Sequence, residues 1–163
     1  THMKKLKDPD EPVAALLDAA SGLGPKLGPV LFQLPPRWKV NPERLEAFLR
    51  VLPRHQRFAF EFRDHSWYDD RVYDLLGRYG AAFCIYDFRG RQAPTQVTAD
   101  IVYVRLHGPS GPYRGKYDTE TLSGWAGAFS TWRDQGKDVY CYFDNDEAGY
   151  AVQNALELKA MLT

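Results

Sequence analysis

The chain has 163 residues, of which 44% are hydrophobic, 14% aromatic and 26% charged. Its 21 Lys and Arg residues balance its 21 Asp and Glu residues, so the net charge is zero, which argues against a bulk electrostatic attraction to nucleic acid or to a membrane surface. No apolar run reaches the roughly 18 residues of a membrane helix, no secretory leader pattern opens the sequence, and two cysteines do not make a disulfide framework. We therefore expect a cytoplasmic protein.

Short runs rich in Val, Ile, Phe and Tyr predict five β-strands. In chain order these strands are Pro29–Leu34, Arg57–Phe62, Ala81–Tyr86, Ile101–His107 and Asp138–Phe143. Apolar residues at the i, i+3, i+4, i+7 spacing predict amphipathic helices before, between and after the strands. The helices cover Val13–Ala20, Leu45–Leu52, Val72–Tyr79 and Leu122–Phe129, and a fifth runs from about Glu147 to Leu162 with Val152, Ala155, Leu156 and Leu162 as its expected buried residues.

Capping residues agree with these helices. Ser, Thr, Asp and Asn satisfy the first free N–H groups of a helix, and Gly adopts the left-handed conformation just past its end. The expected N-caps are Asn41, Asp69, and either Asp118 or Thr119. Asp10 is a further expected N-cap, because Asp10-Glu11-Pro12 is similar to Asn41-Pro42-Glu43. The glycines expected to end helices are Gly80 and Gly136.

The alternation of strands and helices predicts βα units and a parallel sheet. Each unit takes about 30 residues, whereas a closed (β/α)8 barrel of the TIM type needs roughly 250. The sequence thus predicts an α/β fold, a partial TIM-type barrel holding about the last five βα units, with the first three strands missing. No composition break divides residues 1–163, so we expect a single partial domain without an internal boundary.

Polar side chains stand at the carboxyl end of every predicted strand, which is the face where parallel α/β folds place their active sites. They are Gln33, Glu61 and Arg63, Asp87, Arg105 and His107, and then Asp144, Asn145 and Asp146. Strand alternation points Glu61, Arg63, Arg105 and His107 away from the bulky apolar face that would pack on the helices, and therefore towards the interior of a barrel.

We expect Glu61, His107 and Asp144 to be catalytic, with Asp146 as the alternative to Asp144, and to act as acid–base or metal-binding groups. Arg63 and Arg105 are expected to hold an anionic substrate. Gln33, Asp87 and Asn145 are expected substrate contacts. Structural alternatives stay open: Glu61 and Arg63 as a buried ion pair, Asp87 and Asp144 as loop caps, and Gln33 as an amide that satisfies backbone groups.

Two further segments are candidates. The loop Gly108–Asp118 holds three glycines and two prolines, so its backbone could approach a ligand closely. Its candidate substrate contacts are Tyr113, Arg114, Lys116 and Tyr117; the alternative is a turn-rich surface loop. Trp67 would offer a stacking wall to a ring-shaped substrate or pack under its own loop. Cys84 and Cys141 are expected to pack in the core, because no zinc-ligand spacing includes them.

The same segments resemble a known family. Gly28–Pro36 (GPVLFQLPP), Glu61–Arg63 with Ser66–Trp67, Tyr103–Gly108 (YVRLHG), the spacing of Tyr113, Gly115 and Tyr117, and Tyr142–Asp146 (YFDND) with Asn154–Ala155 are similar to the YecE-like family, domain of unknown function 72. The resemblance implies a TIM-type barrel whose activity is not established. The barrel has been likened to metal-dependent endonucleases and sugar isomerases, which is an analogy of fold.

Three departures from the family pattern matter. Asp144 stands where the family usually has the first Asn, and Asp64 replaces a common His, so no role is carried to His65. The family's opening strands are absent. Thr1-His2-Met3 is either a vector remnant or the family's Thr-His after its third strand, in which case His2 lies at the barrel mouth and joins Asp146 as a metal ligand.

These residues predict an enzyme that acts on a phosphate-bearing substrate, by hydrolysis assisted by a divalent metal. The rival hypothesis is a non-catalytic module of the same fold that binds a small anionic ligand or a nucleic-acid segment. A partial barrel exposes two sheet edges, so we also expect these edges to pair with the missing N-terminal barrel segment or with a second copy of the chain.

Overall fold

The computed structural model describes residues 4–88 and 91–163. Within these ranges the protein is an α/β fold in which helices alternate with the strands of a parallel sheet. The helices are α1 (Asp10–Ser21), α2 (Pro42–Arg50), α3 (Asp70–Arg78), α4 (Thr119–Asp134) and α5 (Tyr150–Met161). The strands are β1 (Val30–Leu34), β2 (Phe58–Phe62), β3 (Ala82–Phe88), β4 (Arg91–Gln92), β5 (Ile101–Leu106) and β6 (Asp138–Phe143). No described helix is long and apolar enough to cross a bilayer.

The five predicted strands are confirmed as β1, β2, β3, β5 and β6, hydrogen-bonded in that order. β6 has the predicted ends, and the other four differ from theirs by a residue or two. The largest difference is β3, which continues past Tyr86 to Phe88, because the two-residue strand β4 turns back and pairs antiparallel with its last residues. All pairs between the five predicted strands are parallel, as the βα alternation requires.

The chain divides into two compact units, Thr1–Phe83 and Cys84–Thr163, and the boundary falls within β3. This division does not test the expectation of a single domain, which stays a prediction. In the first unit, β1 pairs with β2 along its whole length, and Ala59 and Phe60 of β2 pair with Ala82 and Phe83. Its core is aromatic: the rings of Phe32 and Phe48 meet edge to face with centroids 4.9 Å apart.

In the second unit, β3 pairs with β5 from Cys84 opposite Tyr103, and β5 pairs with β6 from Ile101 opposite Asp138. Helices α4 and α5 both contact β6 and each other. Helix α4 buries the four side chains that its spacing predicted, Leu122, Trp125, Ala126 and Phe129, together with Trp132.

Helix α5 buries a different face from the predicted one. Val152, Ala155 and Leu156, predicted to be buried, are exposed, and Leu162 is half-buried just beyond the helix. The buried residues are Ala151, Asn154 and Leu158 instead. The prediction chose the most apolar face, but the side chain of Asn154 bonds to the backbone of Tyr117 and turns a different face inward.

The caps Asn41, Asp69 and Asp118 are confirmed, since each side chain accepts a hydrogen bond from a backbone N–H of the first helical turn. Asp118 rather than Thr119 caps α4. The expectation for Asp10 is wrong, because Asp10 is itself the first helical residue after Pro9. Gly80 and Gly136 have positive φ, as predicted for residues that end helices.

Candidate functional site

Three charged side chains of the second unit meet at the carboxyl end of β5. Arg105 Nη2 lies 2.8 Å from Asp144 Oδ2, and His107 Nε2 lies 3.3 Å from the same oxygen. β5 contributes Arg105 and ends just before His107, while Asp144 follows the last residue of β6. The backbone N–H of Asp144 donates to Leu106 O at 2.8 Å, which continues the parallel ladder and holds the carboxylate beside its two partners. We call these three residues the Asp144 cluster.

His107 is fully buried, and both of its ring nitrogens face oxygen atoms. Nδ1 lies 3.0 Å from the backbone oxygen of Asp87, whereas Nε2 faces the carboxylate of Asp144. Two oxygen acceptors are both satisfied when each nitrogen carries a hydrogen, which gives the ring a positive charge. The rings of Phe88 and Tyr113 enclose the imidazole. Both ring nitrogens of His107 therefore face groups of the protein, and its expected catalytic role stays a prediction.

Asp87, at the end of β3, is linked to the loop after β5 through Tyr117. The N–H of Gly108 donates to the Tyr117 hydroxyl at 2.8 Å, so the hydroxyl hydrogen is left to donate to Asp87 Oδ2 at 2.9 Å. Asp87 Oδ1 is buried and has no hydrogen-bond partner among the described residues. Burial raises the pKa of Asp87, and the hydrogen bond from Tyr117 opposes that rise. Burial likewise raises the pKa of Tyr117, which keeps its hydroxyl protonated.

The glycines of the loop Gly108–Asp118 permit a conformation that side chains would block. Gly108 has φ +112°, and a Cβ there would collide with the backbone of Arg114. Gly115 has φ +84°, and a Cβ there would collide with Ser110. The loop is therefore folded against itself, and its glycines serve this internal contact.

Two buried asparagines attach this loop to β6 and α5. Asn154 accepts from the N–H of Tyr117 at 3.0 Å and donates to its carbonyl at 2.9 Å. Asn145 Nδ2 donates to Gly115 O at 2.8 Å and to Asn154 Oδ1 at 3.0 Å. Since both neighbours of Nδ2 are acceptors, the orientation of the Asn145 amide is determined. Its buried Oδ1 has no hydrogen-bond partner among the described residues.

The other candidates of this loop lie at the surface. Tyr113, Arg114 and Lys116 are exposed, and Lys116 forms an ion pair with Glu157 of α5 at 2.7 Å. Tyr113 places its ring near His107, with centroids 5.8 Å apart. Tyr117, by contrast, is buried, and its hydroxyl lies between Gly108 and Asp87.

In the first unit, Glu61 and Arg63 form an ion pair, and the Glu61 side chain is fully buried. Gln33 of β1 lies opposite Glu61 of β2 in the strand register. This arrangement supports the structural alternative for Glu61 and Arg63, because a buried carboxylate needs a nearby cation.

Trp67 is also fully buried in the first unit. Its indole N–H donates to the backbone oxygen of Trp38 at 2.7 Å, and its ring stacks on Phe62 with centroids 4.9 Å apart. These contacts favour packing beneath its own loop over a stacking wall for a substrate.

The described part of the chain contains no set of ligands for the expected metal ion. Within residues 4–88 and 91–163, no three His, Cys, Asp or Glu side chains are grouped so as to hold an ion. Asp146 is exposed and precedes the 3₁₀ turn Glu147–Gly149. His2 lies outside the described residues, so both interpretations of Thr1-His2-Met3 stay open.

Sequence reasoning did not select Asn154 as a site residue, although it belongs to the pattern that carries the family resemblance. A usable signal was present: Asn154 lies three residues after Ala151 and four before Leu158, so one helix face joins all three. A polar residue on a buried helix face needs hydrogen-bond partners, and here these are the loop after β5.

Comparisons with known proteins support the resemblance. UPF0759 protein YunF of Bacillus subtilis (strain 168) is 28% identical to this chain. The alignment is 166 residues long and covers 84% of this chain and 58% of that protein. A DUF72 family structure from Thermotoga maritima MSB8 matches with a TM-score of 0.85 and 28% identity, over 98% of this chain and 67% of that one. A second, from Enterococcus faecalis V583, matches with a TM-score of 0.80 and 22% identity, over 96% of this chain and 66% of that one.

The chain thus spans less than two thirds of the curated relative's length. The family model described as "Protein of unknown function DUF72" matches residues 1–163. Because that match runs from the first residue of the sequence to the last, the chain belongs to the DUF72 family, whose members have no established function.

Proposed function

We propose that the Asp144 cluster, together with Asp87, forms an enzyme-type site for an anionic, phosphate-bearing substrate. The observation that carries this proposal is the convergence of Arg105 and His107 on one oxygen of Asp144 at the carboxyl end of β5. Catalytic sites in parallel α/β folds commonly consist of charged groups that meet at the carboxyl ends of strands.

Charge favours an anion as the substrate. When both ring nitrogens of His107 carry hydrogen, the cluster holds two cations and one carboxylate, so it is positive by one unit. The side chains of Arg105 and Asp144 are 18% and 25% exposed, which lets a ligand reach them. A guanidinium in such a position can bind a phosphate with two parallel hydrogen bonds.

The chemistry that fits is acid–base hydrolysis of a phosphate ester. A water molecule attacks phosphorus, its proton passes to the Asp144 carboxylate, and the departing alcohol oxygen takes a proton. Asp87 is the candidate proton donor, because burial raises its pKa and so keeps its carboxyl protonated to a higher pH than usual. Arg105 stabilises the charge that develops on the phosphoryl oxygens.

A metal-assisted version has less support from the geometry. The described residues do not provide the three or more protein ligands that a resident divalent ion commonly has, so no step is assigned to a metal. Titration of Mg²⁺ and Zn²⁺ into the protein, followed by calorimetry, tests this: saturable binding lost in Asp146→Asn would restore the metal hypothesis.

The central experiment measures phosphate-ester hydrolysis and phosphate binding together. Wild-type protein is assayed with p-nitrophenyl phosphate and bis-p-nitrophenyl phosphate, and inorganic phosphate binding is measured by calorimetry. We expect Asp144→Asn to abolish turnover while phosphate still binds, and Arg105→Gln to weaken binding. Arg44→Gln, an exposed arginine of α2, is the control and should change neither. Absence of both turnover and phosphate binding in the wild type would refute the proposal.

The alternative is a binding module of the same fold for a small anion or a nucleic-acid segment. It is favoured by the enclosure of His107, whose ring nitrogens both face groups of the protein. Phosphate or oligonucleotide binding by the wild type that Arg105→Gln weakens, without turnover of either ester, would establish this alternative over catalysis.

For the fold, we propose that the sheet is the later part of a TIM-type barrel, with further strands pairing along its outer edges. The support is the alternation of parallel βα units and the match to solved family members over about two thirds of their length. Strands supplied by an N-terminal segment or by a second copy would bring additional side chains to the strand ends. The two cysteines are free thiols, which fits the proposed cytoplasmic setting.

A further inference from the structure

A cavity of about 370 Å³ lies in the second unit, between α4, β6 and α5. Its floor is the face of β6 that carries Val139, Cys141 and Phe143, which alternate along the strand and so point the same way. Phe129 of α4 and Leu158 of α5 form its sides. The volume is within the range of small-molecule sites in proteins, and the lining is mainly apolar, as in such sites.

Two cations complete the lining. Arg133 lies in the last turn of α4 and Lys159 in the last turn of α5, and both are exposed. Arg133 Nη1 donates to the backbone oxygen of Leu162 at 3.3 Å, which holds the guanidinium near the chain that follows α5. Among the described residues, no Asp or Glu side chain belongs to the lining, which also includes Leu162 and Thr163. The cavity therefore combines an apolar interior with a positively charged edge.

The interior itself carries no charge. Cys141 is a free thiol, and burial raises its pKa to about 12, so the thiol stays neutral at physiological pH. A neutral thiol is weakly polar and packs well against apolar groups. The lining thus suits a hydrocarbon chain or ring, and the charged edge suits an anionic group attached to it.

We propose that this cavity binds a small apolar carboxylic acid, with its hydrocarbon part against β6 and its carboxylate beside Arg133 and Lys159. This site is separate from the Asp144 cluster in its residues and in its ligand chemistry, so it does not depend on the function proposed above. Occupancy would fill the space between the two helices and stabilise their packing on β6.

Octanoate and octanol are the probes that test the proposal, because they share a hydrocarbon chain and differ in charge. Calorimetry should show octanoate binding to the wild type more tightly than octanol. The double substitution Arg133→Gln with Lys159→Gln should weaken octanoate binding about tenfold or more, equivalent to roughly 1.4 kcal/mol, and leave octanol nearly unchanged. The matched control Lys26→Gln with Arg78→Gln removes two exposed cations elsewhere and should have no effect.

A second arm places the ligand in the cavity. Ala155 is exposed and belongs to the lining, so Ala155→Trp should fill the cavity without unfolding the protein, and both probes should lose binding. Gln153→Trp, exposed on the same helix and outside the lining, should bind as the wild type does.

Three results would overturn the proposal: no octanoate binding to the wild type, equal binding in the charge variant, or unchanged binding in Ala155→Trp. Circular dichroism of each variant confirms its fold before binding is measured.

Discussion

At the scale of single residues, Asp87 is a carboxyl group whose surroundings favour its neutral form. Burial raises its pKa, and among the described residues only one of its two carboxyl oxygens has a partner, the hydroxyl of Tyr117. Asp118 is the opposite case, because it caps α4 and backbone and side-chain hydrogen bonds from Thr121 lower its pKa. The two residues therefore contribute to stability with opposite dependences on pH.

For Asp87, the folded pKa lies above the unfolded value of about 3.9. Its contribution to stability is therefore full below that unfolded value and is lost as pH rises through the folded pKa. The free energy of unfolding is measured in urea at pH values between the unfolded and the folded pKa of Asp87. The value for the wild type minus the value for Asp87→Asn should fall as pH rises.

Asp118→Asn is the control for this measurement. The folded pKa of Asp118 is lowered, so its contribution is present above the unfolded value and is lost as pH falls through the folded pKa. The difference between wild type and Asp118→Asn should accordingly shrink towards acid pH. A difference for Asp87→Asn that stays constant or grows with pH would contradict the environment described for Asp87.

Gly108 supports a second prediction at this scale. Its φ of +112° and the closeness of the Arg114 backbone leave no room for a Cβ, so Gly108→Ala should lower the free energy of unfolding by about 1–3 kcal/mol. Gly124 is exposed in α4, and a Cβ there would meet nothing within 4 Å, so Gly124→Ala should raise it by about 0.5–1 kcal/mol through helix propensity. Chemical denaturation compares both, and equal effects would exclude a steric role for Gly108.

At the scale of elements, the loop after β5 depends on α5 for its position. Asn154 makes two hydrogen bonds to the backbone of Tyr117 and accepts a third from Asn145. Tyr117 in turn bonds to Asp87. Helix α5 is thus connected to the candidate site through side chains, although none of its residues belongs to the Asp144 cluster.

We predict that Asn154→Ala loosens this loop. Substitution leaves buried groups of Tyr117 without partners, at a cost of about 1–3 kcal/mol for each unsatisfied group. Hydrogen exchange of the amides in residues 108–117 should therefore become faster, and the free energy of unfolding should fall. Gln153→Ala, on the exposed side of the same helix, should change neither quantity. Unchanged exchange in Asn154→Ala would mean that the loop holds its conformation by itself.

Element types were predictable from the sequence, because each depends on local periodicity. The spacing of Val72, Leu75 and Leu76 predicted α3, and the structure buries all three. The burial of α5 was not predictable in the same way. Its apolar Val152 and Leu156 are 65% and 63% exposed, and a polar residue, Asn154, takes the inner face. Hydrophobicity indicates which face can be buried, whereas a hydrogen-bonded partner far along the chain decides which face is.

At the scale of the whole molecule, the strand order ends at β1 on one side and at β6 on the other. β6 carries an exposed Tyr142, and α5 beyond it carries the exposed Val152 and Leu156. Unpaired strand edges and exposed apolar side chains favour association. We expect these surfaces to be covered by further strands of the relatives' extra length or by a second copy.

The 163-residue chain on its own should therefore self-associate with rising concentration. Sedimentation velocity should show this, and Val152→Lys with Leu156→Lys should shift the chain towards monomer. Gln153→Lys adds a positive charge to the same helix without removing an apolar side chain and serves as the control. A wild-type chain that remains monomeric throughout would contradict the prediction.

By itself the sequence determined the strands, the helices, most of the caps and the polar strand ends, because these depend on spacing within a few residues. Only the tertiary structure decided which groups those polar residues contact. It paired Glu61 with Arg63, enclosed Trp67, and brought Arg105 and His107 to Asp144, which lies far along the chain from both. Contacts between distant residues follow from how strands register and which helix faces pack, and one-dimensional periodicity does not contain that information.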